Sequence, residues 1–122
     1  MRLSRIHLEL ARSKEQPDGD PHFGYEFVAP LDSAGHLDAK AWAEVKGACM
    51  VRHFAPGADD ETGHLVHRGK GWIFDYDNDD TDDDEPVFKL DKHTIKQGEY
   101  LSITEHDGIS RTFKIATVRP LA

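Results

Sequence analysis

The chain is poor in the residues that most often announce a chemistry. It has one cysteine, Cys49, among 122 residues. A single thiol excludes an internal disulfide and any paired-cysteine metal site, and it fits a reducing compartment. No apolar run approaches the length of a membrane span, and the N-terminal MRLSRIHLEL lacks the apolar core of a signal peptide. The expectation is a cytoplasmic protein with no membrane partner. Basic residues are also scarce, with 15 Lys and Arg against 23 Asp and Glu and a net charge of −8. No basic stripe emerges, so nucleic acid is not an expected partner. Nucleophile and phosphate motifs are missing too. There is no HExxH helix and no G-x-S-x-G elbow, and Gly69-Lys70-Gly71 lacks the spacing and following helix of a phosphate loop.

What the chain does have is alternation. Leu101 and Ile103 alternate with Ser102 and Thr104, and Ile109, Arg111, Phe113 and Ile115 alternate with polar or small residues after His106-Asp107-Gly108. A three-residue loop sets Leu101 opposite Phe113 and Ile103 opposite Arg111, keeping Leu101, Ile103, Ile109, Phe113 and Ile115 on one face. Gly108 suits the left-handed position that such a loop requires. Residues 3–11 and Tyr25 to Ala29, closed by Pro30, read as two earlier strands, and Cys49 to Phe54 as a third. His64 to Arg68 and Trp72 to Tyr76 flank a second three-residue turn that would pair Val66 with Phe74 and Arg68 with Trp72. A short strand at Val87 to Leu90 follows. The one good helix starts at Asp38, a favoured N-cap, with Leu37 and Trp42 at staple spacing and Gly47 placed to end it. The fold expected is a single mostly-β α+β domain. Seven or eight short strands would form a small barrel or strongly curved antiparallel sheet, with the helix across one opening.

The acidity is concentrated. Asp75, Asp77, Asp79, Asp80, Asp82, Asp83, Asp84 and Glu85 fall within residues 75–85, and the remaining 15 acids balance the 15 bases. Asp75, Asp77 and Asp79 match the first three ligand positions of an EF-hand loop. The match stops there, because Asp80 replaces the required glycine and Pro86 the closing glutamate. A solvated, flexible acidic loop over 77–86 is the simpler reading, with weak divalent binding and no dedicated cofactor. Asp80, Asp82, Asp83 and Asp84, with Arg68 and Lys70 on the neighbouring turn, are candidate contacts for a protein partner with a basic surface.

Eight histidines form the second candidate set. His53, His64 and His67, with the three leading aspartates, are the metal candidates. Strand periodicity points His64 and His67 to opposite faces, so any such site must be assembled from separate strands.

The stretches IHLELAR, GYEFVAPL, GHLVHRGKGWIFDYD and GEYLSITEHDG…RTFKIATV resemble a group of small uncharacterised alphaproteobacterial proteins. The resemblance implies a small cytosolic bacterial protein and supplies no site residues. Two functional readings follow from the residues. The first is a non-enzymatic interaction or regulatory module. The alternative is a metal-binding protein or metal-dependent enzyme with a site built from histidines and carboxylates.

The acidic run carries its own test. Replacing Asp80, Asp82, Asp83 and Asp84 by Asn should leave folding intact and raise stability slightly at low salt, where self-repulsion is least screened. Melts in calcium, magnesium and chelator at matched ionic strength should nearly coincide. A calcium-specific rise in melting temperature that vanishes with the substitutions would reinstate a calcium loop.

Overall fold

The computed structural model describes residues 2–69, 71–76, 85–87, 90, 93–105 and 107–121. Eight antiparallel strands follow one another around a closed barrel: β1 (Arg2–Leu10), β2 (Asp20–Leu31), β3 (Met50–Phe54), β4 (Glu61–Arg68), β5 (Gly71–Tyr76), β6 (Glu85–Val87), β7 (Tyr100–Thr104) and β8 (Ser110–Pro120). Closure comes from β8 pairing back on β1, from Ser4 opposite Pro120 to Leu10 opposite Phe113. Each strand sends alternate residues inward, as a barrel requires. Ile6 and Leu8, Tyr25, Phe27 and Ala29, Val51, Leu65, Trp72 and Phe74, Leu101 and Ile103, and Phe113 and Ile115 make the buried core. Cys49 lies within it and makes no ionic contact; burial pushes its thiol up to about 11.

The final hairpin has the register read from the sequence. Leu101 pairs with Phe113 and Ile103 with Arg111, and Gly108 carries a φ of 82°. Ile109 departs from the expectation. It keeps the inward parity but sits on the rim beyond the core, 52% exposed.

The helix, α1 (Ala39–Val45), begins where the cap residue predicts, with Asp38 Oδ1 accepting from the Ala41 backbone N–H at 3.0 Å. It passes into a short 3-10 turn over Lys46–Ala48. Trp42 anchors it at the β4–β5 end of the barrel. Its Nε1 donates to the Leu65 carbonyl at 2.9 Å, and its ring meets Trp72 edge-on.

Three expectations are corrected. The β4–β5 connection is a two-residue turn, so Val66 pairs with Ile73, His67 with Trp72 and Arg68 with Gly71. This register sends Leu65, Trp72 and Phe74 inward together, whereas the three-residue turn would have buried Val66 in place of Leu65. Gly69 accommodates the tighter turn with a φ of 63°. Next, the sixth strand starts at Glu85 and is described as Glu85–Val87, so Glu85 and Pro86 belong to the sheet and not to an acidic loop; Phe88 and Lys89 of the expected Val87 to Leu90 strand lie outside the described residues. Pairing of Phe74 with Glu85 draws that glutamate inside. Finally, β2 runs through Pro30 to Leu31. Pro30 gives up no ladder donor it possesses, and its carbonyl accepts from the Asp38 N–H. Asp77, Asp79, Asp80, Asp82, Asp83, Asp84 and Lys70 lie outside the described residues.

Gly63, like Gly24 on β2, marks a point where neighbouring backbone comes too close for a side chain. A Cβ on Gly63 would stand 2.1 Å from the Asp75 carbonyl oxygen and 2.5 Å from the Tyr76 Cα. Gly63→Ala should therefore break the β4–β5 ladder at its barrel-mouth end. Phe113→Ala, a core truncation, should cost about 3–5 kcal/mol. Urea melts of both variants check the wall and the core separately; a Phe113→Ala loss under ~1 kcal/mol would mean that this ring is not a core element.

Candidate functional site: a buried histidine–glutamate cluster

Up-and-down connectivity gathers one set of strand ends at each mouth. The mouth opposite α1 collects the start of β2, the ends of β3, β5 and β7, and the starts of β4, β6 and β8. Inward positions at this level are Tyr25, His53, Tyr76, Glu85, Glu105 and Arg111. Only Tyr25 and Tyr76 are apolar in most of their bulk. The rest place charge or potential charge inside a barrel whose next layer is Phe74 and Phe113. Burying ionisable groups is costly unless each is partnered, so the partners must be counted.

Glu85 is 0% exposed, Glu105 4% and His53 8%. Tyr76 Oη lies 2.5 Å from Glu85 Oε1. Tyr25 Oη lies 3.0 Å from the same oxygen and 2.6 Å from Glu105 Oε2. Tyr76 thus donates to Glu85 Oε1, and the Tyr25 hydroxyl is shared between Glu85 Oε1 and Glu105 Oε2. Glu105 also receives the Arg111 guanidinium, with Nη1 donating to Oε1 at 2.6 Å. Burial is the main reason that Glu85 has its pKa raised, with its tyrosine bonds and His53 opposing that rise. Desolvation, then the charge of Glu85, likewise raises Tyr25 and Tyr76, so both phenols keep their protons. Arg111 is shifted by burial toward losing its charge, but bonds to Asp107 and Glu105 outweigh this and raise it.

His53 is the unbalanced member. Its Nδ1 lies 3.4 Å from Glu61 Oε1, its cross-strand neighbour on β4. The other ring nitrogen is Nε2. It stands 3.3 Å from Glu105 Oε2, off the line of a hydrogen bond, and has no hydrogen-bond partner. Tyr25 stacks on the imidazole at 4.4 Å with an 11° tilt, holding its plane. One ligand atom each from His53, Glu85 and Glu105 lies within 4.8 Å of the other two. Among the described residues this is the cluster with the donor set of a metal centre. A carboxylate on the far side of a histidine ring is the usual device that aims the near nitrogen at a metal.

Of the described residues singled out from sequence, only His53 enters this cluster. His64 faces outward on β4, opposite Asp75 on β5, and Arg68 reaches Asp75 at 3.7 Å. His67 points inward at the other end of the barrel, stacked on Trp72 at 4.3 Å. His64, His67 and Asp75 are thus not brought to His53. Tyr25, Tyr76, Glu105 and Arg111 were not anticipated as site residues, and Glu85 was hidden in the acidic run. Glu105 offered one signal, since it extends the inward parity of Leu101 and Ile103.

No protein-family model, curated protein or solved structure matches the chain. The geometry stands alone.

The bonds to Glu85 make a prediction for chelator-treated protein. Glu85→Gln keeps a side chain whose amide oxygen, in the place of Oε1, accepts from both Tyr76 and Tyr25, so the fold should persist. Glu85→Ala strands two buried phenols and opens a cavity, at about 2–4 kcal/mol. The pH dependence has a definite sign. A carboxyl whose folded pKa is raised contributes fully below the ordinary glutamate range, and that contribution is lost as pH rises toward the folded value. Glu85→Gln should therefore compare more favourably with the parent at pH 8 than at pH 5. Urea melts at both values check this, and a reversed order would put the proton elsewhere.

Proposed function

We propose that the protein binds a divalent transition-metal ion inside the barrel, through His53 Nε2, Glu85 and Glu105. The observation that carries this reading is His53 Nε2, a buried nitrogen without a hydrogen-bond partner that lies at ligand spacing from Glu85 and Glu105. An orphaned buried polar group costs about 1–3 kcal/mol, and a bound ion would remove that cost. Trp72 Nε1 is orphaned as well, but among the described residues no carboxylate pair stands at ligand spacing from it. The spacing is also suitable. Ligand atoms on a tetrahedral ion with bonds of ~2.0–2.1 Å stand about 3.3 Å apart. The His53 Nε2 to Glu105 Oε2 separation is 3.3 Å. One imidazole and two carboxylates suit zinc, manganese or ferrous iron, and the absence of thiolate ligands argues against cuprous copper. Entry of the ion neutralises both carboxylates, so the cost of burying them is offset by the ion itself.

This reading favours the alternative drawn from the sequence, a centre made of histidine and carboxylates, over an interaction module. Among the described residues, no second histidine joins His53 in this cluster. A single histidine joined by two glutamates from β6 and the β7–β8 loop serves the same purpose. Three protein ligands leave a tetrahedral ion one further position, the pattern of a centre that can take an exogenous ligand.

Calorimetric titration of chelator-treated protein with zinc and with manganese tests the proposal. One ion per chain should bind saturably, and excess ion should stabilise the fold by about 2.7 kcal/mol at a hundredfold excess over Kd. His53→Ala, Glu85→Gln and Glu105→Gln should each weaken binding at least about tenfold, the range set by loss of one well-placed group. The protein with Asp80, Asp82, Asp83 and Asp84 replaced by Asn should retain it. Heat that is unsaturable, or that follows the aspartates and ignores His53, would assign the binding to diffuse surface charge instead.

A further inference from the structure

Arg111 connects the buried cluster to the surface. Its Nη1 serves Glu105 and, at 3.0 Å, Asp107 Oδ2, while its Nε and Nη2 have no hydrogen-bond partner among the described residues. The same side chain lines a cleft of about 530 Å³ between β8 and the segment after β1. Leu10, Ala11 and Ile109 give this cleft an apolar wall; Arg12, an exposed cation with no ion pair among the described residues, and Glu15 share its rim. That volume falls in the range of small-molecule sites, and an apolar wall with a few placed polar groups is their usual composition.

The charge at this mouth depends on the buried centre. Arg111 Nη1 is engaged by Glu105 and Asp107. An ion entering with two charges adds positive charge directly behind Arg111. Glu105 is then shared between the ion and the guanidinium, and the free Nε and Nη2 of Arg111 become the donors best placed to meet an incoming anion. Guanidinium donors match a planar carboxylate in a two-point grip, and the apolar wall suits a carboxylate with a hydrocarbon body.

We propose that the metal-loaded protein binds a small apolar carboxylate in this cleft, gripped by Arg111 and Arg12. The inference rests on the metal reading above and gives it a ligand class. By reciprocity, the carboxylate and the ion raise one another's affinity by the same factor.

The test uses benzoate as the probe and benzamide, its uncharged isostere, as the control, each titrated by NMR with and without saturating zinc. Benzoate should bind about fivefold more tightly with zinc present, within the usual range of coupling between sites. Benzamide should not gain from zinc. Arg12→Gln, an exposed change that leaves the core alone, should weaken benzoate several-fold while zinc affinity stays unchanged in benzoate-free titrations. Arg111→Gln should abolish the coupling, and the amide signals of the core report whether it still folds. Equal binding of benzoate and benzamide, no change of benzoate affinity with zinc, or indifference to Arg12→Gln would each overturn the inference. If zinc binds normally while any of these holds, the metal reading stands and only the carboxylate falls. If zinc itself does not bind at His53, both fall together.

Discussion

Pairing of β8 with β1 turns a row of hairpins into an enclosure, and the interior chemistry depends on it. An open sheet of these strands would leave Glu85, Glu105 and His53 on a solvated face, where water would satisfy each of them. Closure removes the water and forces the polar groups to satisfy one another. Two of the three longest strands, β1 with nine residues and β8 with eleven, supply the seam. The shortest strand, β6, has three residues and still delivers Glu85 and Val87 inward.

The enclosure is filled unevenly. Aromatic rings occupy its middle, with Tyr25 edge-on to Phe113 at 5.0 Å and Phe27 against Phe74 at 5.3 Å. The end near α1 is sealed by indoles and an imidazole. The opposite end is built from carboxylates, phenols, an imidazole and a guanidinium. Tyr25 joins these regions, its ring in the aromatic layer and its hydroxyl between two glutamates. A phenol suits that boundary because one face of the residue is apolar and its tip carries a single donor. Placing the polar layer at a mouth lets Arg111 stand between buried and exposed carboxylates, so that the charge of Glu105 is met without a second buried cation.

Much of the architecture could be read from alternation and caps. The β7–β8 hairpin was legible because its inward residues are nearly all apolar and Gly108 fixes the loop. Asp38 was legible because a cap acts within four residues of itself. Two features resisted the same reasoning. The β4–β5 register turned on whether Gly71 belongs to the turn or the strand, and His67 and Arg68 gave no polarity contrast to decide it. Glu85 ends a run of aspartates, and nothing local distinguishes an acid bound for the core from its solvated neighbours. Only long-range contacts, with Tyr25 sixty residues away and Tyr76 nine, make it an interior residue. Alternation identifies the inward face by hydrophobicity, so it fails where a fold buries charge. Of the cluster, His53 alone was proposed in advance, and on grounds of residue type.

The burial of Cys49 turns the chain's only thiol into a built-in gauge of breathing. A thiolate is the reactive form, and a thiol held near 11 with no solvent contact presents almost none to a disulfide reagent. Modification then waits for an opening of the wall at the start of β3, the strand that also carries His53. When reclosing outpaces the reagent, the labelling rate measures the fraction of time for which that wall is open, without any introduced probe. Whatever tightens the interior around His53 would register there as a slower thiol.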